Sequence, residues 1–247
     1  MRLNEIGARY VQLDDRRRIC CTECGDPGGA PVFYFHGMPG SRLEAQFGHQ
    51  AAADHGCRLI GLDRPAIGRS DFCEGRSLLD CPRDVEEMAR QFEIDRFGLI
   101  GLSGGGPYAL ACGQLTSDRL AFTVLMGSRG PVADQPAHWS DVAPLDRFFG
   151  KLSKRAPWAF YVAFWFIGFA AHRLSAQAFV RANASSMSEA DKELMRNDAL
   201  ACLFAEDMRD VSPGRSRTGR RPGDPIPRMG TRLGGGEHPG APVPRRT

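Results

Sequence analysis

Up to about residue 128 the chain alternates short apolar runs with stretches whose apolar residues return at helical spacing. "ARYVQL" and "RRICCTECG" read as an opening pair of strands. "APVFYFHG" reads as a buried strand ending at His36-Gly37, and a helix is predicted near "SRLEAQFGHQAAADHG". "CRLIGLDRP" is the next strand, and Val85, Met88, Ala89 and Phe92 set a helical stripe within "SLLDCPRDVEEMARQFEI". "RFGLIGLS", "GGPYALACGQL" and "AFTVLMGS" then read as strand, helix and strand. This order predicts an α/β fold with a mostly parallel sheet covered on both faces.

From about 140 to 206 the pattern is helical. "PWAFYVAFWFIGFAAH" (157–172) is strongly apolar, but the run is nearer 15 residues than the roughly 20 that a membrane span needs, and Arg155 and Arg173 bound it. A buried helix, or a lid over an apolar pocket, is the expected reading, with no membrane partner. "SMSEADKELMRNDALACLFAEDM" predicts a capped amphipathic helix, with Ser188 ahead of Glu189 and Asp191. After Val211 the character changes: 36 residues hold eight Gly, seven Pro and eight Arg, with no aromatic. Such a segment cannot bury enough surface to offset its conformational entropy, so disorder is expected there. The domains are therefore drawn as a core over 1–135, a helical lid over 136–206 and a disordered tail over 207–247.

Composition is that of a soluble globular chain, with 42% hydrophobic and 25% charged residues. The net charge of +3 misleads: in 212–247 eight arginines face only Asp224 and Glu237, a local +6 that leaves the other 211 residues at −3. The charged, mixed opening "MRLNEIGARYVQLDDRRR" has no signal-peptide pattern, which predicts a cytoplasmic protein whose eight cysteines stay reduced. "CCTEC" at 20–24 lacks a second ligand pair at matching spacing, so no metal and no cofactor are expected.

The chemistry centres on "LIGLSGGGPYAL" (99–110), a G-x-S-x-G stretch between a strand and a helix. The turn is tight, Gly101 and Gly105 give room where side chains would collide, and the Ser103 hydroxyl is left projecting over the sheet. The Gly104 amide, opening the helix, points where negative charge would develop on an attacked carbonyl, and Met38 in "HGMPGSR" offers a second backbone donor. "FYFHGMPGSR", "LIGLDRPAIGRSD" and "LIGLSGGGPYALAC" together resemble the α/β-hydrolase fold superfamily over about residues 8–206, in particular bacterial HGMPGSR-type serine hydrolases. Ala66-Ile67 departs from it, since the family more often has Gly and an aromatic there. The resemblance implies an eight-stranded sheet with a lid after strand 6, Ser103 as nucleophile, and Met38 and Gly104 as oxyanion donors.

The same resemblance implies a triad in the order Ser, Asp or Glu, His. After Ser103 stand only His138, His172 and His238, and none has a strand leading into it with a partner acid; Asp134 and Asp141 have no base to orient. The acid and the histidine are thus not identifiable, and strands 7 and 8 are expected to be missing. The tail reads as a neighbouring frame: shifting one base forward across Met229-Gly230 forces a Trp, and synonymous choices permit "STPVHLCHGE" downstream, which looks like a strand before a catalytic Asp. A genuine basic tail binding nucleic acid or membrane is the rival, but it has no aromatics for stacking and no amphipathic period. The expected function is attack by Ser103 on small apolar esters or related acyl substrates, impaired by loss of the acid and base. The alternative is a hydrolase-fold protein that binds a ligand or partner without catalysis.

Overall fold

The computed structural model describes residues 7–115, 117–128 and 144–211. Six strands, β1 (Arg9–Gln12), β2 (Arg18–Gly25), β3 (Ala30–Phe35), β4 (Cys57–Leu62), β5 (Phe97–Leu102) and β6 (Leu120–Met126), form one sheet in the order β1-β2-β4-β3-β5-β6. The first two pairings are antiparallel and the remaining three parallel. Parallel neighbours require crossover connections, supplied by α1 (His49–Asp54), α2 (Cys81–Gln91) and α3 (Gly106–Leu115). Phe35 stands opposite both Leu62 and Gly101, so β3, β4 and β5 end together and their following loops meet at one edge. In open parallel sheets that edge is where ligands bind.

Strand alternation builds the core. Phe33 and Phe35 join Ile60, Leu62, Phe97 and Leu99 on one face, while Val32 and Tyr34 join Leu59 and Cys24 on the other. The helical stripe of α2 packs as its spacing predicts: Val85, Met88 and Ala89 are buried, with Phe92 partly so. Cys20, Cys21 and Cys24 are free thiols buried in β2, and burial pushes the first two up to about 12 and the third to about 11.

Two predicted helices take a different form. The stretch after His36 begins as a 3₁₀ turn, Arg42–Gly48, before α1. Its first amides are drawn into carboxylates, Ser41 N–H to Asp207 at 2.8 Å and Arg42 N–H to Asp63 at 2.7 Å, and the backbone winds tightly to meet them. The single helix expected over 186–208 is two, α7 (Glu189–Leu194) and α8 (Asp198–Val211). The break is a second cap: the Asn197 side-chain oxygen accepts from Ala199 N–H at 2.9 Å and opens α8. Ser188 and Asp191 form a capping box on α7, as its sequence implies. Because α8 runs to Val211, residues 207–211 of the expected tail are helical; 212–247 lie outside the described residues.

The other helices of this region are α4 (Pro144–Arg155), α5 (Pro157–Arg173) and α6 (Ala176–Asn183). Helix α5 is not the buried helix its composition suggests: Trp158, Val162, Trp165, Phe166 and Phe169 are exposed, while Ala171 packs with Phe179, Ala205 and Met208. Among the described residues no helix is long and apolar enough to cross a membrane.

Among the described residues β6 pairs only with β5 and presents Phe122, Val124, Leu125 and Met126 at 41–46% exposure. An apolar strand edge of this kind templates self-association. Purified chain is expected to scatter light on warming, and Val124→Lys is expected to suppress the scattering. A parent chain that melts reversibly as a monomer would contradict the expectation.

Asp207 on α8 accepts from Ser41 N–H at 2.8 Å and from Ser41 Oγ–H at 2.5 Å. Burial raises this carboxyl well above its ordinary range, the Glu44 charge adds to the rise, and the Ser41 donors oppose it. A raised acid binds its proton more tightly folded than unfolded. Its stabilising contribution is therefore full below the ordinary Asp value of about 3.9 and is lost as pH climbs through the raised value. Asp207→Asn keeps an acceptor oxygen and removes that loss. Its melting temperature should fall less between pH 5 and pH 8 than the parent's, part of the slope persisting because burial raises Glu44 and Asp63 too. Parallel profiles would refute the assignment.

Candidate active site

Three loops meet at the carboxyl edge: 36–42 after β3, 63–70 after β4, and the turn after β5. Ser103 opens a 3₁₀ turn, Ser103–Gly105, that leads directly into α3. Its φ is +46°, a left-handed conformation that a residue with a Cβ adopts only when surrounding structure enforces it. The enforcement is visible in two neighbours. A Cβ on Gly105 would stand 2.1 Å from the Phe35 carbonyl oxygen, and one on Gly101 would stand 2.7 Å from the Gly105 carbonyl oxygen. The strand-to-helix bend is thus closed by backbone contact, and the serine is lifted onto its crest.

The structure brings the two expected donors together. A Cβ added to Gly104 would lie 3.1 Å from Met38 Cβ and 3.5 Å from Met38 N, so the Gly37–Met38 peptide lies against Gly104. Gly104 N–H precedes the first helical donor, Gly106 N–H to Ser103 C=O, and is one of the unpaired amides of a helix start. The Met38–Pro39 bond is cis.

Around this turn stand groups that carry no signal in a motif search. Glu44 accepts from Gly37 N–H at 2.9 Å and from the Tyr34 hydroxyl at 2.8 Å. The position of a Cβ on Gly37 would have both Glu44 Oε2 and Ser103 Cβ within 4 Å. Burial raises the Glu44 carboxyl, against the pull of Gly37 N–H, Tyr34 and Arg64. His36 is fully buried, and burial, with Arg64 beside it, holds its imidazole well below the ordinary range. It is a neutral ring whose Nδ1–H donates to Gly37 C=O at 2.8 Å and whose Nε2 accepts from Arg64 Nε–H at 3.3 Å. Both nitrogens are occupied, so His36 is not a base for Ser103. The one legible trace of Arg64 is a charged pair, Asp63-Arg64, at the end of an apolar strand.

Among the described residues no imidazole reaches Ser103. His49 accepts from Gly25 N–H, His55 closes α1, and His172 is exposed in the last turn of α5. Asp134, His138, Asp141 and His238 lie outside the described residues. Among the described residues no group of three or more His, Cys, Asp or Glu side chains is placed to hold a metal ion.

The family model described as alpha/beta hydrolase fold matches residues 30–184. The chain belongs to the α/β-hydrolase fold family. Within the family it is similar to proline iminopeptidase from Neisseria gonorrhoeae, 28% identical over 121 residues that cover 48% of this chain and 39% of that protein. It is also similar to 2-hydroxy-6-oxononadienedioate/2-hydroxy-6-oxononatrienedioate hydrolase from Klebsiella pneumoniae, 33% identical over 129 residues covering 49% and 44%. This hydrolase-fold chain spans about two-fifths of the length of the first curated relatives it matches. Among solved structures, an esterase from Exiguobacterium antarcticum superposes with a TM-score of 0.51 at 19% identity, covering 83% of this chain and 73% of that one. That likeness shows the shared fold.

Proposed function

We propose that the chain is a serine hydrolase in which Ser103 attacks the carbonyl of small apolar esters or related acyl substrates, with Met38 N–H and Gly104 N–H receiving the developing oxyanion. The observation that carries this reading is the left-handed Ser103 on a glycine-closed bend, with the Gly37–Met38 peptide seated against Gly104. Two amides aimed at one point stabilise charge that exists only in the transition state. Turnover is slow, because among the described residues no base is positioned against the Ser103 hydroxyl, which therefore stays protonated. The acyl-enzyme forms when the serine oxygen bonds to the carbonyl carbon and the alcohol leaves with a proton; water then releases the acid.

An aryl fluorophosphonate tests this. One equivalent is expected to bind Ser103, with loss of fluoride, as read by intact mass and peptide mapping, and none is expected to bind Ser103→Ala. With p-nitrophenyl acetate the expected trace is a slow, linear release of nitrophenol without a burst, because acylation itself is slowed, and Ser103→Ala is expected to lose it. Absence of the adduct would overturn the proposal in favour of a non-catalytic binding protein.

A further inference from the structure

We infer that Arg64 is a positioning residue that orients the Gly37–Met38 peptide, so that the Met38 N–H faces the Ser103 oxyanion position. The inference rests on the serine-hydrolase reading above and assigns a task to a residue which that reading leaves unused.

Arg64 is 6% exposed, and its guanidinium reaches two carbonyls from two different loops. One nitrogen donates to Gly37 C=O at 3.0 Å and the other terminal nitrogen donates to Gly104 C=O at 3.1 Å. The fork thus fastens the loop after β3 to the bend after β5. Its own place is fixed from behind. Arg64 N–H and Nε–H both approach His36 Nε2, at 3.4 and 3.3 Å, and the guanidinium carbon lies 4.9 Å from the centroid of the Tyr108 ring.

The decisive point is which peptide is held. Gly37 C=O belongs to the same planar unit as Met38 N–H, and in a trans peptide the two point in opposite directions. Fixing the carbonyl towards Arg64 therefore fixes the N–H away from it. His36 Nδ1–H donates to the same carbonyl at 2.8 Å, and Glu44 holds the preceding amide, Gly37 N–H, at 2.9 Å. The peptide is gripped on both sides of Gly37, while Met38 N–H has no hydrogen-bond partner among the described residues. Met38 is exposed at this edge, so its unpaired amide is open to solvent or to a bound ligand, and the same grip that prevents it from turning inward keeps it available. Two donors on one carbonyl also polarise the peptide, which makes its N–H a stronger donor. A glycine at 37 would otherwise leave this unit free to flip.

The test uses Arg64→Ala and Arg64→Lys in the full chain, with the fluorophosphonate as probe. Because the oxyanion donor is misaimed rather than removed, Arg64→Ala should slow phosphonylation of Ser103 by roughly 10- to 100-fold. The fall should appear in the maximal rate and not in the concentration of half-saturation. Lysine reaches one carbonyl rather than two and should recover part of the rate. Hydrogen exchange supplies a readout independent of reactivity. The peptide covering 36–42 should exchange faster in Arg64→Ala, while the peptide covering Leu99 and Ile100 keeps the parent's protection. Equal phosphonylation rates in parent and variants would overturn the inference and leave the serine-hydrolase reading intact. A parent that does not label would overturn that reading instead, and the role of Arg64 would then stand or fall on the exchange of 36–42. If Arg64→Ala does not fold, the same rate and exchange comparisons are made on Arg64→Lys, and parent-like values there overturn it.

Discussion

Ser103→Gly is expected to abolish labelling by the fluorophosphonate and, in the same molecule, to raise the melting temperature. The loss follows from removing the only atom that forms the new bond. The gain follows from φ = +46° at this position. A residue with a Cβ in the left-handed region costs about 1–2 kcal/mol, and glycine costs nothing there. Glycine also widens the unfolded ensemble, which offsets about 0.4–1 kcal/mol of that gain. The balance favours the variant by roughly 0.5–1 kcal/mol, or about 1–4 °C for a chain of this size. Ser103→Ala separates the two effects: it loses the hydroxyl but retains the Cβ and the strain, so it should match Ser103→Gly in reactivity and not in stability. Should Ser103→Gly melt no higher than Ser103→Ala, the bend is not strained, and Ser103 is not held there at a cost in stability. Stability given up at a single position for reactivity is what a catalytic bend predicts.

What was legible in the chain was whatever local pattern controls. Alternation in "APVFYFHG" and "RFGLIGLS" placed β3 and β5, and Val85, Met88 and Ala89 placed the buried face of α2. Gly101 and Gly105 around Ser103 marked the bend because each stands where backbone meets backbone. What escaped was long-range. Arg64, Glu44 and His36 serve the loop after β3 through hydrogen bonds across 7 to 28 residues or to a neighbouring carbonyl, and nothing periodic announces such bonds. The exposure of α5 escaped for the opposite reason. Its composition is that of a core helix, and burial depends on which partner element packs against it, not on its own residues. The second helix start at Asn197 was locally encoded, but the continuous apolar spacing from Met187 onwards masked it.

Asp210→Ala is expected to cost about 3–5 kcal/mol. Asp210 is 1% exposed near the end of α8 and pairs with Arg42, which also binds Asp63 at 2.9 Å; all three side chains are buried. Arg69 approaches the other Asp210 oxygen at 3.4 Å and gives its backbone N–H to Asp63 at 2.9 Å. Two arginines and two aspartates thus close a neutral cluster 147 residues apart from Asp63 to Asp210, fastening the last described helix to the end of β4. Removing one carboxylate does not merely delete a contact. It takes from the buried Arg42 one of the two buried carboxylates that pair with it, Asp63 being the other. If this is the cause, Arg42→Ala should be comparably damaging, since it strands two carboxylates. The double variant should then cost less than the two single losses combined by about 1–3 kcal/mol, because Asp210 is no longer stranded and only Asp63 is left without Arg42. Urea unfolding of the four proteins reads the coupling directly. Additive losses would mean that packing of α8, not charge balance, holds this corner. Because Asp63 is followed by Arg64, the same cluster also anchors the guanidinium that grips Gly37. Asp210→Ala should therefore slow phosphonylation of Ser103 even at temperatures where it remains folded, although Asp210 touches neither the serine nor its donors.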